Sequence, residues 1–352
     1  MSIIYFILVL GITVFVHELG HFLCAKKSKI YVYEFSIGMG PRLFKFKRKN
    51  DETVYSIRAF PIGGFVQMAG EEAEEDKSIP KEMRLQSKAW FQKALTISAG
   101  VLFNFIFAII LLFVVGLING SNFGTTTVNS VDNTLPAYSA GLKDNDKILK
   151  INGKRVRTAD ILILELQANN GKKITLTVDR NNTEQDINIT PKKIKVDGTD
   201  TYQYGFSLVT KQEKGVISAL KYAFYKFGCL MMQMVLIIKY LFIGKLKLTS
   251  LSGPVGIFNI VSESAKAGFI NLIYLIAYLC VNIGFINIIP LPAFDGGRLL
   301  FLIIEKITGK PVNQKVENII HSIGFILLMV LMVLITYNDI IRLIKRWLCV
   351  KN

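Results

Sequence analysis

The chain has 352 residues, of which 51% are hydrophobic, with a mean hydropathy of +0.40 and a formal charge of +16. So much apolar character excludes an ordinary soluble protein and implies membrane spans joined to at least one water-facing domain. Lysines are spread along the whole chain instead of being massed in one segment, so the positive balance reads as membrane-surface charge in preference to a nucleic-acid footprint.

The first apolar run covers about residues 3–25 and carries no charged side chain until it reaches Phe15-Val16-His17-Glu18-Leu19-Gly20-His21-Phe22. Residues i and i+4 share one face of a helix, so His17 and His21 can grip one Zn²⁺ while Glu18 reaches a water beside it. A carboxylate in hydrocarbon costs about 2.5–3.5 kcal/mol on insertion scales, which marks Glu18 as functional by default. Two of the chain's three histidines lie here. Lys26, Lys27 and Lys29 follow the run and no basic region precedes it. It therefore reads as an uncleaved helix entering with its N-terminus outside and its lysines inside.

Residues 31–70 alternate in strand fashion. Leu43–Lys47 and Val54–Arg58 flank a turn at Lys49-Asn50-Asp51-Glu52, and Phe60–Met68 is apolar but rich in breakers. This predicts a hairpin region beside the first helix, tolerated at membrane depth only where protein or a wet cavity satisfies its backbone. The acidic cluster Glu71-Glu72-Ala73-Glu74-Glu75-Asp76 reads as a solvated loop.

Further uncharged runs long enough to span occur at about 97–118, 268–291 and 319–337. Residues 122–210 differ in kind, with short strands, turns and a helix predicted near 158–169. The passage Pro136–Lys154, with Ala140-Gly141-Leu142 and Asp146-Lys147-Ile148 through Ile151-Asn152-Gly153, resembles a PDZ domain. Asn145 replaces the usual glycine and tolerates a left-handed backbone. Such domains bind extended peptides or chain ends at a sheet edge. The apolar run 216–243 carries Lys221, Lys226 and Lys239, with twelve uncharged residues between the last two. It reads as an interfacial helix with snorkelling lysines, not a span. Cys24, Cys229, Cys280 and Cys349 have no C-x-x-C spacing and read as inert thiols.

A catalytic zinc needs a third protein ligand and an open position. Asp295, Glu305, Glu317 and His321 are the candidates, and context favours Asp295. Pro290 and Pro292 stop the preceding helix, and Gly296-Gly297 let the backbone turn closely after the carboxylate.

These pieces together resemble the bacterial site-2 proteases, intramembrane zinc metalloproteases with a single extracytoplasmic PDZ domain. The resemblance rests on Val16–Phe22, Phe35–Pro41, Pro61–Glu71, Gly100 with Asn104-Phe105, the PDZ passage, Leu251–Ile257 and Asn287–Gly297, in family order over nearly the whole chain. Phe294 stands where leucine is usual and Val101 where proline is common, and neither change removes a reacting group. The resemblance implies that His17, His21 and Asp295 bind zinc and that Glu18 is general base and then acid. It further implies that Asn287, with Pro290 and Pro292, contacts an unwound substrate backbone. The bland reading of Asn287 is a hydrogen bond between helices. Asn104 and Asn282 read as structural.

The expected architecture is an α-helical polytopic membrane protein. It has four transmembrane helices, a membrane-associated β-hairpin region and one inserted α+β PDZ domain. Its segments are 1–30 (first helix with the histidines), 31–96 (cytoplasmic-side β region), 97–121 (second helix) and 122–212 (extracytoplasmic PDZ domain). Then come 213–266 (interfacial), 267–315 (third helix with Asn287 to Gly296) and 316–352 (fourth helix and tail). The expected setting is the cell membrane, with the active site toward the cytoplasm and the lipid bilayer and single-span membrane proteins as partners. By the resemblance, an earlier extracytoplasmic cut precedes cleavage. A PDZ-centred adaptor has no use for Glu18, and a metal transporter would need further intramembrane carboxylates.

Overall fold

The computed structural model describes residues 2–71, 78–169, 171–196, 199–246, 251–310 and 312–351, so Glu72–Asp76 of the acidic cluster lie outside the described residues. In chain order the elements are α1 (Ser2–Lys27), β1 (Val32–Lys47), β2 (Val54–Met68), α2 (Trp90–Asn119), β3 (Ser121–Val131), α3 (Pro136–Ser139), β4 (Lys147–Ile151), β5 (Lys154–Arg155) and α4 (Ala159–Ala168). There follow β6 (Ile174–Arg180), β7 (Thr183–Ile189), β8 (Lys192–Val196), β9 (Thr199–Gln203), β10 (Phe206–Glu213), α5 (Val216–Phe242), α6 (Pro254–Lys266), α7 (Phe269–Ile288), α8 (Asp295–Thr308) and α9 (Gln314–Lys351). They form two compact units, residues 1–111 with 256–334 and residues 112–255 with 335–352.

In the first unit α1 and α7 run in the same direction. Ser2 Oγ lies 2.9 Å from Ser262 Oγ just before α7, while His17 and His21 near the other end of α1 meet Asp295 just after it. Helix α2 runs the opposite way, with Thr96 beside His21 and Asn104 beside His17. The expected hairpin is present, with Phe44 opposite Ile57 and Phe46 opposite Tyr55. It is more elaborate than a hairpin, because β1 residues 34–37 pair with both 54–57 and 64–67 and curl two long strands into a small sheet. At its centre Glu34 is buried and accepts from Ser56 Oγ at 2.5 Å, Arg58 Nη2 at 2.9 Å and Arg42. Burial pushes its carboxyl upward, and these donors outweigh that and hold it below the usual range.

In the second unit a sheet runs in the order β10-β3-β4-β6-β7 with β5 on β4. Val128, Leu142, Ile148, Ile151, Leu162, Ile174, Leu176 and Val178 form its core, each at most 2% exposed. Helix α4 starts at Thr158, whose hydroxyl accepts from the Ile161 N–H, an ordinary N-cap. Asn145 takes φ +68°, the left-handed geometry expected of it.

Among the described residues, five helices are long and apolar enough to cross a membrane: Ser2–Lys27, Trp90–Asn119, Val216–Phe242, Phe269–Ile288 and Gln314–Ile344. Four of them are the expected spans, and the fifth is α5, the run read from sequence as interfacial. The lysines of the 216–243 run do not interrupt α5, since a lysine is a good helix former whose stem is apolar.

Candidate metal centre

The two histidines come from the last turns of α1, where the i, i+4 spacing stacks them on one face. Each is 8% exposed, and their Nε2 atoms lie 3.3 Å apart. Asp295 is the first residue of α8, placed there after the chain leaves α7, turns through Pro290 and Pro292 and re-enters a helix. An acidic residue at this end also complements the helix dipole. Its Oδ2 lies 3.2 Å from Nε2 of His17 and 3.3 Å from Nε2 of His21. That oxygen is buried and makes no hydrogen bond.

These distances test whether zinc fits. Four ligands at about 2.0–2.1 Å around a tetrahedral zinc stand about 3.3–3.4 Å from one another. The observed triangle of 3.2, 3.3 and 3.3 Å matches one face of such a tetrahedron. Nδ1 of His21 lies 2.9 Å from the Thr96 carbonyl oxygen and donates to it, which leaves the Nε2 lone pair for a metal. The Asn104 carboxamide nitrogen is 3.4 Å from Nδ1 of His17, and the same amide's oxygen is buried without a partner. A half-turn of that amide offers the oxygen to a ring N–H. Gly100 completes the cradle. A Cβ built there stands 2.7 Å from Nε2 of His17 and closer still to Nε2 of His21.

Among the described residues, His17, His21 and Asp295 form the one cluster able to hold a metal. The other candidates are engaged elsewhere. Glu305 pairs with Lys93 at 3.0 Å, and His321 Nδ1 accepts the Ala293 N–H at 3.1 Å. Glu317 lines a cavity of about 270 Å³ with Glu71, Arg298 and Glu305. Glu71 corrects the reading of a merely solvated acidic loop, for it is ion-paired with Arg298. Asn287, in the last turn of α7, donates to the Ile283 carbonyl at 3.0 Å, a bond within its own helix. Pro290 is exposed, while Pro292 packs against Gly324 of α9. Strand β2 passes beside Glu18, and a Cβ on Gly64 falls 3.2 Å from Glu18 Cγ. From the sequence Asn104 reads as structural, and Thr96 carries no mark. A polar residue one helical face from Gly100 was the available signal for Asn104, whereas a backbone carbonyl leaves none.

The comparisons with known proteins agree with this chemistry. The family model of peptidase family M50 matches residues 5–331. The chain is 33% identical to the regulator of sigma-W protease RasP of Bacillus subtilis, over 97% of this chain and 99% of that protein. It is 32% identical to the zinc metalloprotease RasP of Geobacillus kaustophilus, over 96% and 97% of the two chains. A putative zinc metalloprotease of Fusobacterium nucleatum is 38% identical, over 97% and 99%. The chain belongs to peptidase family M50, and is a zinc metalloprotease of the site-2 protease type.

Proposed function

We propose that this protease cuts single-span membrane proteins within or near their transmembrane segment, at a zinc held by His17, His21 and Asp295. The observation that carries the assignment is the 3.2, 3.3 and 3.3 Å triangle of ligand atoms on adjoining helix ends. Zinc bound there polarises a scissile carbonyl and acidifies a water molecule. Glu18, on the same helix one position round from His17, takes the proton from the attacking water and returns it to the leaving amine nitrogen. Strand β2 beside Glu18 offers backbone groups to an unwound substrate, which is then held extended as an added strand. Asn287 joins it if its amide leaves Ile283, with Pro290 and Pro292 shaping the turn below.

The sheet domain is read as the extracytoplasmic PDZ domain. Its β10 is an edge strand, open to a peptide or chain end and able to gate substrates after a first outer cut. Helix α5 is read as lying at the membrane surface. Along its length it is tied to that domain: Tyr225 donates to Gly124 O, Lys226 to Asp160 Oδ1 at 2.7 Å, and Tyr240 to Glu165. The first unit supports the same reading. Because α2 opposes α1 while α7 runs with it, the chain between α2 and α7 makes an even number of crossings, and α5 alone cannot be one. The lysines after α1 favour a catalytic end on the cytoplasmic side. A substrate of the anti-sigma-factor kind accords with the RasP relative's name as a regulator of sigma-W protease.

Purified Glu18→Gln, compared with wild type on a model single-span substrate, tests the reading. Cleavage should fall by roughly 10²–10⁴-fold, the usual worth of a general base, while zinc content stays at the wild-type level. Unchanged cleavage would sink the proposal.

A further inference from the structure

Asp295 is presented by an unusual turn. After α7 the chain bends through Ile289–Phe294, and Ala293 sits at φ +76°, a left-handed backbone that alanine seldom takes. Something must hold it, and the turn's own bonds are sparse. Leu291 N–H reaches Ile289 O at 2.7 Å, and Phe294 N–H reaches Leu291 O at a long 3.4 Å. The Ala293 N–H donates instead to a side chain twenty-eight residues on, Nδ1 of His321 in α9, at 3.1 Å. The imidazole is itself wedged. Phe301 of α8 lies against it at 5.8 Å between ring centroids, and a Cβ on Gly297 would stand 3.1 Å from its Cε1. Pro292 is seated on Gly324, so α9 grips the turn at two successive residues.

We propose that His321 is a positioning residue for the metal centre. Its Nδ1 fixes the Ala293 backbone in the left-handed turn, and that fixes the point from which Asp295 reaches the two imidazoles. It acts through the turn and not as a ligand: accepting at Nδ1 puts the ring proton on Nε2, which leaves neither nitrogen a lone pair for a metal. The inference rests on Asp295 being a zinc ligand, as proposed above.

The geometry of the side chains supplies the test. In asparagine Oδ1 stands where histidine has Nδ1, so His321→Asn keeps the acceptor for Ala293. In glutamine Oε1 stands where histidine has Nε2, so His321→Gln displaces it. Full-length His321→Ala, His321→Asn, His321→Gln and Asp295→Ala are compared with wild type for Zn²⁺ affinity by chelator competition, and for the visible absorption of bound Co²⁺. Loss of an outer-shell partner of a metal site typically weakens metal binding by 10–100-fold, so His321→Ala and His321→Gln should lose about that much, with an altered Co²⁺ band, while His321→Asn stays within about threefold of wild type. Asp295→Ala should lose more than any of them. If His321→Ala does not fold, the comparison of His321→Asn with His321→Gln decides alone. Equal affinity in those two, or wild-type affinity in all the His321 variants, overturns the positioning role while leaving the ligand set standing. Wild-type affinity in Asp295→Ala removes the ligand assignment, and this inference with it.

Discussion

Gly100 shows how closely a single residue can be tied to the metal centre. In a membrane helix, alanine for glycine ordinarily helps, by about 0.8–1 kcal/mol of helix propensity in an interior position. At Gly100 the added methyl meets His17 Nε2 and Cε1 at 2.7 Å, and His21 Nε2 as well, so an imidazole must turn or α2 must retreat. Gly100→Ala should therefore lose zinc affinity about 10–100-fold, the range for a disturbed outer shell. Thermal stability of the metal-free protein should stay level or rise. Gly11→Ala is the control, since nothing lies within 4 Å of a Cβ there. It should gain helix propensity and keep wild-type affinity, and equal zinc titrations for both variants would refute the argument. The three proposed ligands were legible in the sequence because each announces itself locally: two histidines by helical spacing, Asp295 by prolines before it and glycines after it. Asn104, Thr96 and His321 were not legible in these roles. Their partners are 87, 75 and 28 residues away, and only packing brings them together.

Among the elements, the sheet domain was readable because its turns carry their own chemistry, with Asn145 at φ +68° in the place of a glycine. The curl of β1 and β2 was not, since period-two alternation marks a strand without saying that one segment pairs on both sides. The same domain holds a buried ion pair that makes its stability depend on pH. Asp146 is 1% exposed and accepts from Arg180 Nε at 2.7 Å, from Arg180 Nη2 at 2.6 Å, and from the Lys143 N–H at 2.9 Å. Burial raises its carboxyl's pKa, but the guanidinium and the backbone donor outweigh burial and leave it below the ordinary value. A carboxyl lowered on folding contributes stability above its unfolded pKa of about 3.9, and loses it as pH falls through the folded value. Protection of β4 and β6 amides against hydrogen exchange, corrected for intrinsic rates on the full chain in detergent, should be level from pH 7 to 5 and fall below pH 4. Asp146→Asn should lower that protection already at pH 7, by about 2–3 kcal/mol. This is below the ~3–5 of a fully buried pair because the Arg180 side chain is 22% exposed. A variant whose protection equals wild type at pH 7 would show that the pair adds nothing.

At the scale of the whole molecule, the open choice concerns α5, which is long enough to span yet bonded to the sheet domain along its length. Its two faces differ. Ala219, Tyr222, Ala223, Cys229, Leu230, Met234 and Tyr240 are buried, whereas Ile217, Leu220, Phe224, Val235 and Phe242 form an exposed apolar stripe. Lys221 and Lys239, also exposed, share one flank of that stripe five turns apart. A helix crossing the bilayer would bring water to those two lysines from opposite sides. A helix lying in the interface, one face on the domain and the stripe in lipid, lets both snorkel to the same side. The buried end of the contact argues for the second arrangement. Glu165 receives Tyr240, and Lys245 Nζ at 3.0 Å, and these donors hold its carboxyl below the usual range against the opposing effect of burial. The carboxylate belongs to the sheet domain and sits at the C-terminal end of α5, while Tyr225, in the third turn of that helix, reaches β3 of the same domain. In a chain with its four cysteines replaced by alanine, Lys221→Cys and Lys239→Cys should both react with a membrane-impermeant maleimide added outside intact cells. Reaction at one position alone would make α5 a span. A second crossing between α2 and α7 would then be needed to keep Asp295 on the membrane face of His17 and His21.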